Sequence, residues 1–123
     1  MNIKTNYLIT LIFIISINIS AHNDHSQGNS DEWQIKAYTS AAPAFIGDHA
    51  TVISASGKVL REGTNGWTCR NLVPMPEGGF PDAHATAAAC SDPNAVAWVE
   101  AYISDTTPKL EGDGWIWMKH GDL

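Results

Sequence analysis

Cys69 and Cys90 are the only two cysteines in the chain, and they bracket RNLVPMPEGGFPDAHATAAA (70–89). That stretch carries three prolines and two glycines and has neither helical nor strand periodicity. Any fold must therefore accommodate a long irregular loop between the two sulfur atoms. Three roles for Cys69 compete. A nucleophile needs a base or a positive field to become a thiolate, with Arg70, His49 and His84 as candidates. A zinc site needs further ligands, and no Cys-x-x-Cys or His-x-x-x-His spacing supplies them. A Cys69–Cys90 disulfide needs only an even cysteine count and an oxidising compartment, and the sequence favours it. Closing a ring of this size stabilises by roughly 3–3.5 kcal/mol in the chain-entropy model. Net domain stability is only about 5–15 kcal/mol, so such a bridge is a large share.

The oxidising compartment is argued from the other end. Lys4 and the terminal amine precede the apolar run YLITLIFIISINI (7–19), and Ile19-Ser20-Ala21 offers small residues to a peptidase. This is the order of a secretory signal. A transmembrane anchor takes about 20 apolar residues, whereas this run is shorter and is broken by Thr10, Ser16 and Asn18. No cysteine follows it closely, which excludes a lipid-anchored form. The expectation is a signal peptide over 1–21, a disordered leader over 22–30 (HNDHSQGNS), and one small domain over 31–123. The product is exported, periplasmic or secreted, with no membrane attachment after signal cleavage. Acidic residues number 13 against 7 basic, and one of the basic ones, Lys4, falls in the signal. So acidic a chain is not drawn to phosphate backbones or anionic membranes, which argues against nucleic-acid binding.

Ser30 reads as a helix N-cap, with Asp31 and Glu32 in the first turn. Trp33, Ala37, Tyr38 and Ala41 then share one helical stripe, so a core-facing helix is predicted over about 31–41. PAFIG (43–47) adds one further turn. ATVISASGKVLREG (50–63) reads as two strands, 50–55 and 58–63, joined at Ser56-Gly57. Asn65-Gly66 is a second turn that lays Trp67-Thr68-Cys69 back along the sheet. Asp92 caps a second helix with Pro93 at its first position, and Val96, Val99 and Ile103 mark its inner face. Trp98 and Tyr102 form an adjoining stripe. WIWMK (115–119) reads as a final strand. The expected fold is α+β: a small antiparallel sheet of three to four strands packed by two helices, with one disulfide.

SAAP (40–43), LREGTNGWTC (60–69), CSDP (90–93), Trp98 with Ala101, and Gly114 through Met118 resemble a family of small exported bacterial proteins of uncharacterised function. The resemblance runs from about Trp33 to Gly121, and GTNGWTC is its most specific part. It implies export, the bridge and the fold, and supplies no catalytic residues. In that family a proline follows the first cysteine closely, whereas here Arg70 to Val73 intervene before Pro74. Its members also run on past the final strand. The domain is thus expected to be truncated at its C-terminus or to lack a terminal element.

Five tryptophans, Trp33, Trp67, Trp98, Trp115 and Trp117, suit a small core, and most are expected to be buried. The final strand is the exception worth weighing. Period two sends Trp115 and Trp117 to one face and Ile116 and Met118 to the other, with no polar alternation. Covering of both faces is the expected arrangement. The alternative is a tryptophan ledge open for stacking on a sugar or other flat apolar ligand. Met118, His120, Met75 and His84 raise a copper site, but single residues on unrelated segments are more often packing or surface. No carboxylate pair, nucleophile elbow or phosphate-binding glycine loop is present. The leading reading is a non-catalytic binding or accessory module for an unknown small ligand or envelope protein, with no cofactor and no metal. Trp115, Trp117 and His84 are its candidate ligand-binding residues. The alternatives are a small envelope enzyme using the 70–89 loop with His84, or a copper-handling protein.

Overall fold

A computed structural model of the chain describes residues 27–119. The signal peptide expected over 1–21 lies outside those residues, as does most of the leader. At the end of the stretch expected as leader, a 3-10 turn spans Gln27–Asn29. Gly28 there is buried and sits so close to the Phe80 backbone that a Cβ has no room.

Helix α1 (Asp31–Thr39) starts as the capping signal requires, with the Ser30 Oγ accepting from the Trp33 N–H at 3.1 Å. Ala37 and Tyr38 are buried on its inner side, and Ala41 is buried just past its end. Gln34 is buried beside them, and a buried amide must find partners. Its Nε2 donates to the Asn29 carbonyl at 3.0 Å, and its Oε1 accepts from the Tyr38 hydroxyl at 3.1 Å and from the Ala55 N–H at 3.0 Å. One side chain thus ties the helix to the turn that precedes it and to the first hairpin. A short helix, α2 (Ala44–Gly47), follows Pro43.

The sheet contains β1 (Thr51–Ile53), β2 (Val59–Arg61), β3 (Thr68–Arg70), β4 (Ala89–Ser91) and β5 (Ile116–Met118), in the order β2-β1-β3-β4-β5. The α+β class, the two main helices and the single disulfide are as the sequence indicates. The sheet, however, has five strands rather than three to four, and it is mixed rather than antiparallel: β3 pairs parallel to β1. The reason lies at residues 63–67. The Asn65-Gly66 turn reverses the chain, but on the far side of β1 and not against β2. The backbone crosses the start of β1 at Gly63, where the Ala50 and Thr51 main chain leaves no room for a Cβ. The crossing is held by the Gly63 N–H on the Thr51 Oγ1 (3.0 Å), the Thr64 N–H on the His49 carbonyl (2.8 Å) and the Asn65 Nδ2 on the Ile46 carbonyl (2.9 Å). The extra strand, β4, is three residues long and begins in an alanine run with little strand propensity of its own.

The two faces of the sheet differ. Val52, Cys69 and Cys90 point at α1 and form the core with Ala37, Tyr38, Ala41, Ala50 and Ala88. The alternate residues Ile53, Thr68, Arg70 and Ser91 point to the other face, where α3 (Pro93–Ile103) lies. The core is narrow because alanines bring α1 close to the sheet. That narrowness excludes whole indoles, so the expectation that most tryptophans are buried fails: Trp33 and Trp67 are half-buried at the core's edge, and Trp98, Trp115 and Trp117 are exposed.

Cys69 and Cys90 are directly opposed in the antiparallel β3–β4 pair and are joined by the disulfide, with their Cα atoms 4.0 Å apart. Both are fully buried. The loop they close is also pinned by Phe80, whose buried ring stacks on Trp33 with centroids 6.4 Å apart.

Two stability predictions follow from this core. Urea unfolding of the Cys69→Ala/Cys90→Ala variant is expected to show a loss of about 3 kcal/mol relative to the oxidised protein, and a thiol assay on the unreduced, denatured protein is expected to find no free thiol. The second concerns Tyr38, whose phenol burial pushes up to about 12, against a smaller lowering by Arg70. The folded state therefore holds a proton that the unfolded phenol releases near pH 10. Stability from this term is complete below about pH 10 and falls as pH rises toward 12. Denaturant melts across that interval should decline in the wild type and flatten in Tyr38→Phe.

Candidate binding surface

The face of the sheet opposite α1 is only partly covered. Helix α3 forms where the sequence places it, with the Asp92 Oδ1 accepting from the Ala95 N–H at 2.8 Å and Pro93 in the first turn. It buries only Ala95 and Ala101. Its inner row of Val96, Val99 and Ile103 stands over Ile53, Thr68 and Ser91 with an open depression of about 270 Å³ between them. Ile103 remains 77% exposed. On the helix's outer flank Trp98 and Tyr102 stack on each other, ring centroids 5.5 Å apart, and both face solvent.

From Trp98 the apolar surface continues to the sheet edge. A second depression of about 250 Å³ is lined by Asn94, Ala95, Trp98, Leu110, Gly114 and Ile116. Asn94 fixes the connector that forms its wall: its Oδ1 accepts from the Glu111 N–H at 3.1 Å and its Nδ2 donates to the Asp113 carbonyl at 3.3 Å. At Gly114 a Cβ would fall 2.7 Å from the Ala95 nitrogen, so a residue without one lets the connector pass the start of α3.

Strand β5 ends the sheet. The Asp92 N–H donates to the Trp115 carbonyl at 3.0 Å and the Lys119 N–H to the Ala88 carbonyl at 2.8 Å. The register sets Trp117 opposite Cys90 and Ile116 opposite Ser91. Trp117 thus lies on the α1 face and Ile116 on the α3 face, the alternation expected from sequence. The covering does not hold: Trp115 is 67% exposed, and Ile116, Trp117 and Met118 are between 43% and 46% exposed. Both faces of an apolar strand are open.

The remaining candidates lie elsewhere. His84 starts a 3-10 turn, His84–Thr86, in the loop between the cysteines; it is exposed and lines none of the depressions described here. A third depression, about 330 Å³, lies on the α1 side among Trp33, Lys36, Ala37, Ser40, Ala83 and Lys119. Of the residues that raised copper, Met118 is on β5, Met75 and His84 are in the loop, and His120 lies outside the described residues. Among the described residues no group of three or more His, Cys, Asp or Glu side chains is placed to hold a metal ion, and no helix is long and apolar enough to cross a membrane. Sequence reasoning missed Leu110, whose only signal is one apolar residue in a polar connector. It noted the Trp98 and Tyr102 stripe without assigning it to a surface.

No protein-family model matches the chain, and no curated protein or solved structure matches it either.

If β5 is surface and not core, truncating it should cost little. Trp115→Ala is expected to change unfolding free energy by no more than about 0.5–1 kcal/mol, whereas Tyr38→Ala should cost about 3–5 kcal/mol. Parallel chemical melts of the two variants make the comparison.

Proposed function

We propose that this protein is an exported, disulfide-stapled, non-catalytic binding module whose docking surface runs from α3 across Leu110 to β5. The observation that carries the reading is β5 with the residue that precedes it: four consecutive large apolar residues, Trp115 to Met118, all exposed. Scattered apolar residues on a surface need no explanation, but a contiguous apolar patch marks a contact site. Leu110, Trp98 and Tyr102 extend the patch from Ile116 onto the helix.

Export is supported by the signal-like order of residues 1–21, by the resemblance to small exported proteins, and by a closed disulfide, which persists in oxidising compartments. The ligand chemistry follows from the side chains. Two indoles on one strand present flat apolar faces with a polar N–H edge, a surface suited to stacking on the apolar face of a sugar ring. The acidic charge of the chain argues for a neutral or cationic ligand over a phosphate-bearing one.

The test is a thermal-shift titration of the oxidised protein with soluble neutral oligosaccharides. Saturation at about 100 times Kd stabilises a folded state by about 2.7 kcal/mol, which raises the melting temperature by more than about 10 °C in a domain of this size. The shift should disappear in Trp115→Ala and Trp117→Ala while their ligand-free melting temperatures stay close to wild type. No shift with any saccharide would sink the sugar-binding reading.

A further inference from the structure

The side-chain faces of β5 are open to stacking, and among the described residues the strand also has an open backbone edge. The Trp115 carbonyl and the Lys119 N–H are both directed at β4. Strand alternation therefore turns the N–H and C=O groups of Ile116 and Met118 away from the sheet. An edge of this kind is a template for another strand, and soluble sheets ordinarily blunt it with charge, proline or a bulge. The opposite edge of this sheet is blunted in that way. Lys58 beside β2 pairs with Asp31 at 3.0 Å, and the Arg61 guanidinium of β2 folds back onto the Gly47 and Ala50 carbonyls. Strand β5 carries no charge between Trp115 and Met118.

We infer that the occupant of this edge is a second copy of the same chain, joined by antiparallel pairing of β5 with β5 about a two-fold axis at Ile116. The inference rests on the binding reading for the openness of β5, and replaces a soluble ligand at the strand's edge with a partner strand. The sequence of the edge is self-complementary in one register. With Ile116 opposite Ile116 of the second copy, the outward-directed residues Gly114 and Met118 face each other and exchange backbone hydrogen bonds. Trp115 then lies opposite Trp117, an aromatic cross-strand pair formed twice by symmetry. One step further out, Asp113 lies opposite Lys119, whose ammonium donates to the Ser40 Oγ at 3.0 Å within its own chain and turns to the facing carboxylate in the dimer, so opposite charges close both ends of the ribbon. Shifting the pairing by one step, to set Trp117 on the axis, leaves Lys119 opposite Trp115 and loses both charge pairs. Charge complementarity thus selects the partner and the register together. A ribbon this short belongs with the small interfaces, under about 1,200 Å², so the dimer is a reversible one.

The experiment is sedimentation velocity on the oxidised protein over a concentration series, without saccharide. The wild type should shift from monomer to dimer as concentration rises. Asp113→Lys and Lys119→Asp each place like charges together twice and should weaken self-association about tenfold. An equimolar mixture of those two variants restores opposite charges at both ends, and should form the mixed dimer in preference to either homodimer. Ile116→Pro removes an outward donor while sparing the bonds to β4, and should be monomeric throughout. A wild type that stays monomeric at every concentration overturns the inference and leaves the edge to a strand of another protein. Absence of preferential mixed dimers overturns it as well. A monomer that still answers saccharide in the thermal-shift titration defeats only the dimer, and a dimer with no saccharide response defeats only the sugar-binding reading.

Discussion

The register of one strand pair governs the whole sheet. Cys69 and Cys90 face each other across β3 and β4, and their covalent bond forbids any other register between those strands. Side chains alternate along a strand, so a slip of one residue would turn every side chain to the other face. With Cys69 held inward, Thr68 and Arg70 must point outward, and β1, which pairs in parallel with β3, inherits the same alternation through Val52. With Cys90 held inward, β5 is set as well: Trp117 takes the α1 face and Ile116 the α3 face. The bridge also brings together the ends of an irregular loop that no periodic hydrophobic pattern could dock. In so small a domain the core supplies little surplus stability, which makes a covalent register lock worth more than it would be in a larger sheet.

The core that the bridge helps to build consists mainly of small side chains, with Tyr38 and Val52 the largest apolar side chains fully hidden. Alanines at 37, 41, 50 and 88 let α1 approach the sheet closely. That approach gives good packing density and leaves no slot the size of an indole. Tryptophans are consequently displaced to the rim or onto the second face. The second face has the opposite problem: α3 touches it mainly through two alanines, and its larger side chains stand over open space. The division of labour between the faces thus arises from side-chain size. One side is closed by alanine and cysteine, and the other is left open by valine, isoleucine and tryptophan.

Much of this was legible in the sequence where a local rule acts alone. Ser30 and Asp92 cap the helices they were expected to cap, because a side-chain oxygen three residues before a free N–H needs nothing else from the fold. The disulfide was legible because the two cysteines of the chain have only each other as intramolecular partners. The parallel β1–β3 pairing was not. An Asn-Gly turn says that the chain reverses, but not on which side of a neighbouring strand it returns. That choice was made by Gly63, which passes β1 where no Cβ fits, and by hydrogen bonds to His49, Ile46 and Thr51 that lie 12 to 19 residues away in sequence. Strand β4 was hidden for a related reason, since Ala89 has no strand preference and acquires its conformation from Arg70 across the ladder. At the candidate surface, alternation along β5 was read correctly because it depends on the pleat alone. Its exposure was not, because covering depends on how closely two other elements pack.

The contrast between the two sheet edges bears on why β5 has the composition it has. Nothing in the folding of the domain calls for four large apolar residues there. The core is closed by other residues, and the bonds from β5 to β4 come from the backbone and would form with almost any side chain. Strand β2, at the other edge, shows what a residue set chosen only for solubility looks like: Lys58 precedes it, Arg61 ends it, and they engage a carboxylate and two carbonyls. An uncharged apolar edge exposes the protein to unwanted pairing, a liability with little matching gain in stability when its side chains are 43% to 67% exposed. The proposed contact outside the fold accounts for such a strand. The side-chain faces of β5 specify the shape of that contact, and its free backbone edge specifies the geometry.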